Sequence, residues 1–136
     1  MSRIKIPFKI NKAGLIELNA NLNGVPGRFI IDTGASSCVL SSEVKEKFKI
    51  VSTENPEFAK GLGTSEMKND ISYSNDYTFQ STTLLNHPLI VLDLSNVNRS
   101  LEEHDLDKID GIFGSDFLQR TNAAIYYSTS KIHLSI

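Results

Sequence analysis

Phe29-Ile30-Ile31 is an unbroken apolar run that ends on Asp32 and turns at once through Thr33-Gly34. A strand that must be covered on both faces reads as continuous apolar sequence rather than as an alternation. The run therefore predicts a buried strand over residues 28–32. An Asp at such a strand end has a plain role as a turn former, its carboxylate accepting backbone N–H groups. It also has the position of one half of a catalytic carboxylate pair.

The rest of the chain reads as short strands between turn signals. Ile4, Ile6, Phe8 and Ile10 alternate with polar residues, and so do Ile16, Leu18, Ala20 and Leu22. Asn23-Gly24-Val25-Pro26-Gly27 predicts the turn of a hairpin whose returning strand ends on Asp32. Ser41-Ser42 before Glu43 predicts a short helix over 43–48. Residues 51–70 are mostly polar and contain Gly61-Leu62-Gly63, which predicts a mobile loop or hairpin. Further strands are expected over 73–85 and 88–94, with a polar surface connection over 95–108. A second apolar run follows over 109–114, then a short helix to about Arg120 and a final hairpin from 123–127 and 131–136. Many short strands and few helices predict an all-β barrel or sandwich, and no repeat or linker divides residues 1–136.

The 136 residues suit one domain with a real core, and 40% apolar with 22% charged residues is ordinary for a soluble protein. The net charge of −2, without a Lys/Arg cluster, argues against nucleic acid or an anionic membrane as partner. The alternating N-terminus lacks the apolar core of a signal peptide, and no stretch reaches bilayer length. Cys38 is the one cysteine, so no internal disulfide forms. The cytoplasm is favoured for the chain as given, an upstream signal or anchor staying open. His87, His104 and His133 lack metal-ligand spacing, and residues 102–107 lack the ligand order of a calcium loop. No metal or cofactor is expected. Cys38 reads as a small core residue, its rival reading as a nucleophile finding no histidine nearby in sequence.

Asp32-Thr33-Gly34-Ala35-Ser36 after its apolar run resembles the catalytic motif of the retropepsin-like aspartic proteases, most closely their single-domain bacterial members. Ile112-Phe113-Gly114, followed by Ser115-Asp116-Phe117-Leu118, resembles the family's second signature, and Gly61-Leu62-Gly63 stands where its flap would be. The resemblance implies a closed or partly open β-barrel with one or two short helices, and an aspartic endopeptidase acting on peptides or proteins without a cofactor. It implies Asp32 as the catalytic residue. Thr33 would lock paired loops across a two-fold axis, Gly34 would admit close backbone approach, and Ala35 would leave room for substrate. Gly61, Leu62 and Gly63 would cover the bound peptide.

This mechanism needs two carboxylates facing one water, and two in contact hold one proton between them. The chain has one Asp-Thr-Gly, and Asp110-Gly111 has no Thr or Ser between its residues. The second carboxylate is therefore expected from a second copy, in a closed homodimer. Viral retropepsins pair an Asp after Asp-Thr-Gly-Ala with an Arg after the second-signature Gly. Here those positions are Ser36 and Ser115, so a dimer of this chain lacks that ion pair. The alternative readings are a peptide- or protein-binding module of the same fold with weak or no turnover, and a domain that pairs through edge strands.

Overall fold

The computed structural model describes residues 2–54 and 70–136. Strands β1 (Arg3–Pro7), β10 (Ala124–Tyr126) and β11 (Lys131–Ser135) form a small antiparallel sheet with β11 in the middle. The larger sheet runs in the order β2 (Lys9–Ile10), β3 (Ile16–Leu22), β4 (Val25–Ile31), β9 (Gly111–Phe113), β5 (Val39–Ser41), β8 (Thr82–Leu92), β7 (Asp70–Phe79), β6 (Thr53–Glu54). A further pairing, Asn21 opposite Thr78 and Leu22 opposite Tyr77, joins β3 to β7. It closes β3, β4, β9, β5, β8 and β7 into a six-stranded barrel. Helices α1 (Ser95–Glu103) and α2 (Ser115–Arg120) complete the expected all-β barrel, α2 being the short helix predicted after Gly114.

The barrel interior follows from the alternation in β3, where Ile16, Leu18, Ala20 and Leu22 are buried while Asn19 is exposed. Phe113 lies at the centre of an aromatic cluster. Its ring centroid is 4.5 Å from Phe117, 4.9 Å from Phe29, 5.0 Å from Tyr77 and 5.6 Å from Phe79. Rings at such spacings contribute about 0.5–1.5 kcal/mol per pair beyond the area they bury. The β3–β4 hairpin turns through Asn23 and Gly24, both at positive φ, as a two-residue turn between twisted strands requires.

Several expectations are corrected. The first alternating segment divides at Phe8, giving β1 to the small sheet and β2 to the large one. The break expected near residues 86–87 lies inside β8, and the β7–β8 hairpin turns instead at Gln80, with φ 56°. What resembled a break is a bulge: Asn86 has positive φ and the register shifts between the Asn75–His87 and Tyr77–Leu84 pairs. The Asp76 carboxylate accepts from the Asn86 N–H at 3.0 Å, and the Asn75 amide donates to the His87 carbonyl at 3.3 Å. The helix expected over 43–48 is a 3₁₀ turn, Ser42–Val44. Gly61, Leu62 and Gly63 lie outside the described residues.

The largest departure is at 95–108, where the expected surface connection carries α1. Leu94, Val97 and Leu101 have helical spacing and pack with Ile30, Val39 and Ile109 in a second apolar cluster outside the barrel. The many polar residues around them masked this stripe. Asn98 shares the buried face. Its side-chain oxygen accepts from the Ile109 N–H at 2.8 Å, and its NH2 donates to the Ile109 carbonyl at 3.3 Å. The amide thus stands in for a neighbouring strand just before the second signature begins. Asn98→Ala should leave both backbone groups of buried Ile109 unsatisfied, costing about 1–3 kcal/mol. A lowered denaturation midpoint at unchanged m value would record it, and an unchanged midpoint would contradict this role for Asn98.

Candidate active site

Strands β4 and β9 run parallel, with Phe29 opposite Gly111, Ile30 opposite Ile112 and Ile31 opposite Phe113. Strand β5 pairs antiparallel with the other edge of β9, so residues 32–38 pass over the end of β9. The apolar run before Asp32 is explained by this placement. Phe29 and Ile31 face the barrel core, whereas Ile30 faces the α1 cluster. The Asp32 N–H continues the pairing, donating to the Phe113 carbonyl at 3.0 Å. The loop then tightens: the Ala35 N–H donates to the Asp32 carbonyl at 3.1 Å, and the Gly34 N–H to Asp32 Oδ1 at 2.9 Å. Asp32 is therefore a turn former, and its side chain still faces solvent. Thr33, Gly34 and Ser36 are exposed as well, and Ala35 is half-buried.

The second signature is joined to this loop through the backbone. The Ser115 N–H donates to the Ala35 carbonyl at 2.7 Å. A Cβ at Gly114 would stand 2.4 Å from the Ser37 carbonyl oxygen and 2.9 Å from that of Ala35, so only glycine fits. At Gly111 it would stand 2.3 Å from the Val39 carbonyl oxygen. Ser36 and Ser115 meet too, through one hydrogen bond of 3.5 Å from the Ser115 hydroxyl to the Ser36 carbonyl. Ile112 is half-buried, while Phe113 and Gly114 are buried.

Asp110 is committed elsewhere. Its Oδ2 accepts from the Arg28 N–H at 2.9 Å, and its backbone bonds to Arg28 and Ser41. Arg28 itself holds Glu17 and Asp107. A cavity of about 570 Å³, lined in part by Asn19, Pro26, Arg28 and Asp110, lies by this start of β4 rather than by Asp32.

A polar cluster that the sequence reading missed lies behind the loop. His87 is 2% exposed and sits between two side chains of α2. Its Nε2 is 3.1 Å from Asp116 Oδ2, and its Nδ1 is 3.1 Å from Arg120 Nη1. Arg120 only donates, so Nδ1 accepts and the ring proton sits on Nε2, facing Asp116. Arg120 Nη2 also donates to the Leu85 carbonyl at 2.7 Å, beside the bulge. Asp116 further accepts from the Phe117 N–H at 2.7 Å. Burial opposes its charge, but the hydrogen bonds from His87 and from the Phe117 backbone outweigh burial and lower its pKa below the ordinary carboxylate value. Asp116 and Arg120 stand four apart on one helix face, a spacing visible in sequence, whereas nothing in sequence pointed to His87 as their partner.

Cys38 is fully buried, as expected of a core residue. The histidine missing nearby in sequence is present in space, since donor atoms of Cys38, His87 and Asp116 lie within 4.8 Å of one another. Burial, and then the Asp116 charge, push the thiol pKa far up, so it stays protonated and is a poor nucleophile. The same burial raises the Tyr77 hydroxyl, which lies against the thiol. His104 is exposed.

Comparison with known proteins bears on this geometry. A family model described as Aspartyl protease matches residues 18–117. A comparison with curated protein sequences finds no match. Among solved structures, the chain is similar to a retropepsin-like aspartic protease from Rickettsia conorii, with a TM-score of 0.62 and 20% identity over 98% of this chain and 89% of the other. It is similar to a retroviral protease-like domain from Leishmania major, with a TM-score of 0.58 and 12% identity over 88% and 87%. It is similar also to the EIAV protease in complex with an inhibitor, with a TM-score of 0.57 and 16% identity over 87% and 98%. These likenesses show a shared retropepsin-like fold at low identity. With the match extending from β3 into α2 and including both signatures, the chain belongs to the aspartyl protease family.

Proposed function

We propose that the chain is an aspartic endopeptidase whose site forms when two copies bring Asp32 opposite Asp32 about a two-fold axis. The observation that carries this reading is the setting of Asp32: an exposed carboxylate on a loop pinned by backbone hydrogen bonds to β9 and α2. Asp110, the acid of the second signature, is held by Arg28 and supplies no second carboxylate here. In the dimer one Asp32 carboxylate is ionised and takes a proton from the attacking water. The other is protonated and donates to the peptide carbonyl oxygen. Thr33 braces the paired loops, Gly34 and Ala35 leave space for the substrate backbone and side chain, and Ser36 borders the cleft. Gly61, Leu62 and Gly63, which lie outside the described residues, take the role of the covering flap. Ile112, Phe113 and Gly114 support the loop from beneath. The substrate is a peptide or protein, and no helix among the described residues is long and apolar enough to cross a membrane.

A peptide-library digest tests this reading. Wild-type protein should cut, and Asp32→Asn should lose cleavage while circular dichroism and sedimentation stay unchanged, because Asp32 is exposed. Cleavage by the asparagine variant would remove Asp32 from the role. Tight peptide binding without cleavage by wild type would favour the binding-module alternative.

Since the paired carboxylates must hold one proton, cleavage should rise as pH falls below neutral. A profile flat from acid to alkaline pH would contradict a shared-proton pair. Specific activity should also fall on dilution in step with the dimer fraction seen by sedimentation, and full activity from a monomer would refute the two-chain site.

A further inference from the structure

The loop that carries Asp32 is tied to α2 by few contacts of its own. Apart from the Asp32–Phe113 and Ser115–Ala35 backbone bonds, the two signature loops share, among the described residues, the 3.5 Å Ser115–Ser36 hydrogen bond, which carries no charge. Close packing at Gly114 holds only while α2 stays where it is. Asp116, one residue into that helix, accepts from its own helix at the Phe117 N–H and faces β8 at His87, and its carboxylate lies within 4.8 Å of Cys38 Sγ, on the chain leaving the Asp32 loop. Arg120, one turn on, braces His87 from the far side and holds β8 at Leu85.

We infer that Asp116 is the positioning residue of the Asp32 loop, gripped through His87 and Arg120 so that α2 keeps Gly114 and Ser115 against Ala35 and Ser37. The inference deepens the protease reading, and its structural half stands without it. Charge-assisted hydrogen bonds from buried donors are the strong kind, so one carboxylate here ties α2 to β8 while lying against Cys38. The lowered Asp116 pKa means that its contribution to stability is intact above the ordinary carboxylate range and is lost only as pH falls through the lowered value. The tie therefore persists in the mildly acid conditions that suit a shared-proton pair. Cys38, His87 and Asp116 also form a donor set within reach of one metal ion. The proton on Nε2, fixed there by Arg120, closes the network without one.

The test uses the full chain with Asp116→Ala, His87→Ala and the double variant, and Asp116→Asn as the milder change should Asp116→Ala fail to fold. Amide hydrogen exchange should lose at least about tenfold protection at Ser115 and Ala35, with the β1–β11 amides unchanged. The double variant should lose little more than Asp116→Ala, because the two side chains act as one unit. On a peptide that wild type cuts, kcat should fall about tenfold with KM within about twofold. Unchanged exchange at Ser115 and Ala35 in a folded variant, or an equal loss at every amide, would overturn the inference. So would one equivalent of zinc, measured by elemental analysis, that wild type retains and His87→Ala loses. If wild type cuts no peptide, the protease reading fails while the exchange data still decide the role of Asp116.

Discussion

The parallel pairing of β4 with β9 is the contact on which the rest of this structure depends. Strands β4 and β5 are consecutive, yet they do not pair with each other; β9, from far along the chain, lies between them. The intervening residues must therefore arch over the end of β9, and that arch is the Asp32 loop. Closing so distant a contact costs chain entropy, which the aromatic cluster around Phe113 helps to offset. The glycines at 111 and 114 make the insertion possible, since a Cβ at either would strike a backbone carbonyl of the β4–β5 connection or of β5.

What stands on this frame is held mostly by backbone groups. Asp32 is fixed through its own N–H and carbonyl and through the Gly34 N–H on its carboxylate. Its side chain packs against little and remains exposed in the single chain. On the protease reading proposed above, this fixed backbone is what orients the carboxylate for a substrate.

Buried polar side chains recur wherever strands cannot satisfy one another. Asn98 meets both backbone groups of Ile109, Asn75 fills the bulge in the β7–β8 hairpin, and Asp116 collects donors from its helix and a histidine. Each is a two-ended or multiply accepting group at a place where the ladder is interrupted. Left unmet, those backbone groups would each cost about 1–3 kcal/mol. Local stability around the signatures thus rests on a few amides and carboxylates as much as on the apolar core.

Strand alternation, the Asn23-Gly24 turn, the short helix after Gly114 and the two signature motifs were all legible in the chain, because each depends on neighbours a few residues apart. The reading of 95–108 failed because a narrow apolar stripe was diluted by polar residues, and the break assumed at Asn86 was a bulge filled by side chains from β7. Sequence by itself determined that Phe29-Ile30-Ile31 is a buried strand ending on a single carboxylate in a Thr-Gly turn. The tertiary structure alone decided that β9 lies against that strand, that Ile30 and Ile31 face different cores, and that His87 stands between Asp116 and Arg120. The physical reason is range: periodicity and turn chemistry act within a few residues, whereas pairing partners and buried hydrogen bonds are chosen across the whole chain once the barrel has closed.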